Sequence, residues 1–214
     1  MARLSGVWLP IITPFHDGAV DFASYERLIE HYIRAGVTGI IPLGTTGESP
    51  TLDDDEQEAL VATTVRLVAG RAPVWVGAGG NVTTKVAKAM KRMQRHAIDG
   101  FLSVCPYYNR PSQEGLRLHF TKLAEASERP ILIYNIHYRT GVNMTNETLL
   151  RLAELPNVVG VKDSCGILAQ SIELLRQRPE SFSVLTGEDA YFFTTLAHGV
   201  DGGILASSHV MTER

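Results

Sequence analysis

The sequence predicts an α/β protein, a closed (β/α)8 or TIM barrel, on three observations. Short segments rich in Val, Ile and Leu recur eight times along the 214 residues, each reading as a parallel strand covered on both faces. Amphipathic helical stretches lie between them, so strand and helix alternate. The third is an absence: a doubly wound sheet would carry a nucleotide fingerprint, and GAGGNV after the third strand has no glycine at its sixth position.

The elements follow in order. VWLPIIT from Val7 is the first strand, and SYERLIEHYIRAG then sets Leu28, Ile29, Tyr32 and Ile33 on one helical face and stops at Gly36. GIIPLG from Gly39 is the second strand. TLDDDEQEALVATTVRLVAG offers Thr51 as N-cap, acids in the first turn, Arg66 near the end and Gly70 as stop. PVWVGAG from Pro73 and FLSVCP from Phe101 are strands three and four, and the helix SQEGLRLHFTKLAEAS begins after Pro111. ILIYNI from Ile131 precedes TNETLLRLAEL, capped by Thr145, and VVGVK from Val158 precedes GILAQSIELLRQR. SVLTG from Ser183, the helix DAYFFTTLAHG and GGILAS from Gly202 complete the set. Residues 1–214 read as a single barrel domain truncated after strand eight, its C-terminal helical region missing.

Composition narrows the function classes. Hydrophobic content of 44% with 20% charged residues fits a soluble globular chain. A net charge of −3 gives no electrostatic hold on nucleic acid or an anionic membrane. Pro10 and Thr13 interrupt the apolar start, and no segment is long and apolar enough to span a bilayer. Cys105 and Cys165 suggest neither a disulfide framework nor a zinc site, and the seven histidines show no metal spacing. A cytoplasmic setting is expected, with no nucleic acid, membrane or metal partner.

A barrel of this kind builds its active site where the strands end. GTTGES after strand two brings the hydroxyls of Thr45 and Thr46 together with backbone N–H groups, which suits a carboxylate. PYYNRPSQEG follows strand four, and paired tyrosines there ordinarily mean packing or a subunit interface. Strand five runs into YNIHYRTG with Tyr134 and Arg139, and strand six ends on Lys162. Lys162 is either a strand-end lysine reaching solvent or a desolvated amine kept as a nucleophile. Closed into a barrel, Tyr134 and Lys162 come from neighbouring strands, a workable acid–base pair for imine chemistry.

With GTTGES, PYYNRPSQEG, YNIHYRTG, VVGVKDS and the GED turn after strand seven in order, the chain resembles the dihydrodipicolinate synthase and N-acetylneuraminate lyase family of pyruvate-dependent aldolases, from about Gly6 to Val210. The resemblance implies condensation of pyruvate with an aldehyde, L-aspartate 4-semialdehyde, without metal or organic cofactor, through a covalent imine on Lys162. It implies that Tyr134 shuttles protons, with Thr45 and Tyr108 as relay partners, Tyr108 entering from a neighbouring subunit of a homotetramer or dimer of dimers. Thr46 would hold the pyruvate carboxylate, Gly187 and Ile204 would wall the site, and Arg139 would bind the carboxylate of the second substrate.

Some positions depart from the synthase pattern. His137 and Tyr138 replace smaller residues beside Arg139, and Leu205 stands where serine is usual. They keep open an aldolase or dehydratase of another 2-oxo acid, and the truncated end, with one strand uncovered, leaves a catalytically silent barrel as a third reading. Asp54 and Gln57 fall where lysine-inhibited relatives have histidines, and Lys85 where they have an acid, so lysine is not expected to inhibit.

Overall fold

The computed structural model describes residues 3–210, so the first two and last four residues of the expected domain lie outside the described residues. Eight parallel strands form one sheet: β1 (Gly6–Leu9), β2 (Gly39–Ile40), β3 (Trp75–Ala78), β4 (Gly100–Val104), β5 (Ile131–Asn135), β6 (Val158–Asp163), β7 (Ser183–Thr186) and β8 (Gly202–Ile204). β1 pairs with both β2 and β8, and the order then runs from β8 to β3 strand by strand. A parallel bridge between Ile40 and Val74 joins β2 to the start of β3 and closes the circle. This is the expected barrel.

Seven helices of six residues or more are described, α1 (Phe22–Arg34), α2 (Asp54–Val68), α3 (Thr83–Met93), α4 (Gln113–Ala126), α5 (Asn146–Leu152), α6 (Leu168–Gln177) and α7 (Phe192–Ala197), with a single helical turn, His137–Thr140, after β5. None is long and apolar enough to cross a membrane. Thr145 caps α5 as expected, its side chain accepting from the N–H of Thr148. The cap of α2 is Asp53, not Thr51. Asp53 accepts from Asp55 and Glu56 while Glu56 reaches back, a capping box that outcompetes Thr51, which sits in a 3-10 turn. The sequence reading passed over α3, whose start Val82 offers no capping side chain. Val86, Met90 and Met93 nonetheless sit at helical spacing and are buried. It also passed over a short hairpin, Phe15–His16 with Ala19–Val20, turned by Asp17 and Gly18 at φ of 50° and 80°.

Side-chain alternation along the strands divides the core in two. Ile131 and Ile133 of β5 face outward into the layer shared with the helices. Leu132 and Tyr134 face inward, with Trp8, Ile41, Trp75, Leu185 and Ile204. The rings of Trp8 and Trp75 meet edge to face at 5.9 Å, plugging the interior. Gly39 makes room for this plug, since a Cβ there would lie 2.3 Å from the Trp8 ring. The register shifts after Ile131, so that Tyr134 of β5 stands beside Lys162 of β6.

Candidate active site

Lys162 lies inside the barrel rather than in solvent. It is 6% exposed, and its Nζ lies 4.1 Å from the centroid of the Tyr134 ring. Burial pulls the ammonium down to about 8, against the upward pull of Asp189 and Glu188 on the loop after β7. The Tyr134 hydroxyl is held well above its ordinary value, first by burial and then by Tyr138, while Ser164 and Arg139 favour the phenolate. A raised phenol beside a lowered amine keeps the proton on Tyr134 while Lys162 more readily gives its own up.

Glycine at 187 makes this placement possible. A Cβ there would stand 2.1 Å from the Ser164 hydroxyl oxygen and 2.5 Å from Lys162 Cε. The Gly187 N–H donates to the Asp163 carbonyl at 2.8 Å, fixing the β7 end against β6. Ser164 Oγ is buried beside the lysine stem, on the side of the Tyr134 hydroxyl that it influences.

Tyr134 opens onto a cavity of about 400 Å³, lined also by Thr45, Tyr107, Ile136 and Arg139. Its wall after β2 is a pair of 3-10 turns, Thr45–Gly47 and Ser49–Thr51, joined through Glu48 at φ 54°. Thr13 Oγ1 donates to the Gly47 carbonyl at 2.7 Å and pins the first turn to the loop after β1. Leu43, Glu48, Tyr108 and Arg110 all hold positive φ without being glycine, and all lie on the loops after β2 and β4. Such backbone persists only where surrounding contacts over-determine it.

The structure brings together most of the expected residues. Lys162, Tyr134 and Gly187 are in contact, Ile204 is buried in the inward cluster with Tyr134, and Thr45 and Arg139 line the cavity. Thr46 is half-buried on the same turn as Thr45 and does not line the cavity. Tyr108 is 86% exposed and does not line the cavity, whereas its neighbour Tyr107 does. Four residues around the site lie within the sequence motifs but were given no role there: Ser164, Glu188, Asp189 and Tyr107. Ser164 had a legible signal, since alternation puts it on the same side as Lys162 two residues earlier. Among the described residues no three His, Cys, Asp or Glu side chains gather as a metal site.

Comparison with known proteins gives the family. The sequence profile of the dihydrodipicolinate synthetase family matches residues 3–214. The chain is 53% identical over 212 residues to 4-hydroxy-tetrahydrodipicolinate synthase 2 of Clostridium acetobutylicum, covering 99% of this chain and 74% of that protein. A crystal structure of dihydrodipicolinate synthase from Bacillus anthracis superposes with a TM-score of 0.97 at 35% identity, covering 100% of this chain and 73% of that one. The chloride-inhibited enzyme of Acinetobacter baumannii, complexed with pyruvate, superposes with a TM-score of 0.95 at 36% identity over 98% and 72% of the two chains. A barrel whose sixth strand delivers a buried lysine beside a tyrosine, matched over nearly its whole length, belongs to the dihydrodipicolinate synthetase family.

Proposed function

We propose that the chain, acting as one barrel domain in the cytoplasm, condenses pyruvate with L-aspartate 4-semialdehyde to 4-hydroxy-tetrahydrodipicolinate. The observation that carries this reading is Lys162, a buried amine pulled down to about 8 and seated over the Tyr134 ring. In its neutral form Nζ adds to the C2 carbonyl of pyruvate, and with one proton taken up from solvent through the site the carbinol oxygen leaves as water, giving a protonated imine. The imine nitrogen draws electrons from C3, which loses a proton and becomes an enamine carbon. That carbon attacks the aldehyde, forming the new C–C bond, and the aldehyde oxygen takes up a proton. The amine of the second substrate then adds to C2 and expels Lys162, which closes the ring and restores the enzyme. The imine is its own electron sink, so the steps call for no metal or organic cofactor.

Tyr134 is read as the proton carrier at the imine, with Thr45 and a Tyr108 from a second copy as relay partners in a homotetramer or dimer of dimers. The exposure of Tyr108 and its strained backbone support that assignment. Thr46 and the turn it lies on would hold the pyruvate carboxylate, with Gly187 and Ile204 as walls. Arg139 at the cavity rim would take the carboxylate of the second substrate as a bidentate pair.

Product analysis with pyruvate and L-aspartate 4-semialdehyde, with Lys162→Ala as control, tests the reading. Formation of the cyclic product by the wild type alone supports it. Turnover only with another aldehyde from a panel would favour the second reading, an aldolase or dehydratase of another 2-oxo acid. The exposed Tyr138, whose ring lies 5.6 Å from the Arg139 guanidinium at the cavity rim, is what recommends that alternative.

A further inference from the structure

The loop after β5 carries Arg139 on an exposed tip, yet its base is held by side-chain amides, one of them fully buried. Asn135, the last residue of β5, is fully buried and faces away from the barrel interior. Its Nδ2 donates to Asn143 Oδ1 at 2.9 Å and to the Met144 carbonyl at 3.3 Å, and its Oδ1 accepts from the Met144 N–H at 3.0 Å. One side chain thus ties together the two ends of the segment that presents Tyr138 and Arg139. A second amide, Gln170 of α6, accepts from Asn143 Nδ2 at 2.7 Å and donates to the Met144 carbonyl at 2.9 Å. Gln113 of α4 donates to the Asn143 carbonyl at 2.8 Å and accepts from the Thr145 N–H at 3.0 Å.

The loop after β5 and the first turns of α4 and α6 therefore meet at Asn143 and Met144. Buried amides are costly unless fully paired, and apolar side chains could fill the same space. What amides add is one fixed geometry, because each donor and acceptor has a direction. We infer that Asn135, with Gln170, is a positioning residue for Arg139: the web closes the base of the loop so that the guanidinium is held ready for the carboxylate of the second substrate. Lys162 and Tyr134 are held by the backbone pairing of β5 with β6 and of β6 with β7, and by the close approach of Gly187, so the pyruvate half of the site does not depend on the amide side chains. Preorganisation of this kind is lost when the loop can sample other shapes.

The inference rests on the function proposed above, and the test separates the two. Steady-state kinetics and borohydride trapping with pyruvate are run on wild type, Asn135→Ala, Gln170→Ala and Arg139→Ala, and on Gln170→Ala combined with Arg139→Ala. Gln170 is only half-buried, so its variant keeps the Asn135 closure and the fold even where Asn135→Ala does not. The expected result is a KM for L-aspartate 4-semialdehyde raised about tenfold in Asn135→Ala and severalfold in Gln170→Ala, with the KM for pyruvate and the rate of adduct formation on Lys162 unchanged. In the Arg139→Ala background the Gln170 change should have no further effect. An equal effect on both substrates, an additive double variant, or an unmoved KM in folded variants would overturn the inference while leaving the function intact. A wild type that forms the pyruvate adduct but consumes no L-aspartate 4-semialdehyde would refute the proposed substrate and this inference with it.

Discussion

Lys162→Met is expected to stabilise the protein at neutral pH and to do so less as pH rises. Methionine is unbranched and of similar length, so it can follow the lysine stem past Gly187 without an ammonium to bury. The lysine's ordinary value is 10.5 and the barrel lowers it to about 8. That gap corresponds to a cost on the order of 3 kcal/mol for holding the charge in the folded state. Below pH 8 the folded and unfolded chains both carry the proton, and the cost is fully present. Between about 8 and 10.5 only the unfolded chain carries it, so wild-type stability climbs with pH. For a chain of 214 residues, a gain of this size raises Tm by roughly 5–10 °C at most. Calorimetry of both proteins from pH 6 to about pH 10 reads the difference, which should be largest at low pH and shrink above 8. A variant no more stable than wild type at pH 7, or a difference independent of pH, would refute the claim that the barrel desolvates this amine.

Gly187→Ala should fold yet trap pyruvate at least tenfold more slowly in a borohydride assay, because its Cβ collides with Lys162 Cε and the Ser164 hydroxyl. Tyr134→Phe removes the phenol that the proposed mechanism uses as proton carrier and should lower kcat by roughly a hundredfold or more, with circular dichroism unchanged. Millimolar L-lysine should leave the steady-state rate unaltered. Asp54 is paired with Arg92 at 2.7 Å, the Gln57 amide donates to the Ser49 and Leu52 carbonyls, and exposed Lys85 repels an ammonium.

Much of the fold was legible because buried parallel strands are continuous apolar runs, and all eight segments became strands. Helix α3 was not, since its polar start hid three well-spaced apolar residues. The pairing of Tyr134 with Lys162 followed from barrel closure, although the shift in pairing between Ile131 and Leu132 that sets their register left no trace in the sequence. Glu188 and Asp189 act on Lys162 from another loop, and Asn135 acts on a segment nine residues on. Such roles depend on which loops meet, and neither periodicity nor local motif records that. The Asp53 capping box was written in the sequence as D-x-x-E, and its reciprocal pair outweighs a lone threonine.

The most direct test of the account is to incubate the protein with pyruvate, reduce with borohydride and map the added mass by peptide analysis. The account predicts a single adduct on Lys162, absent from Lys162→Ala and forming faster as pH rises towards 8. No adduct in a folded sample, or an adduct on other lysines at equal rate, would contradict it.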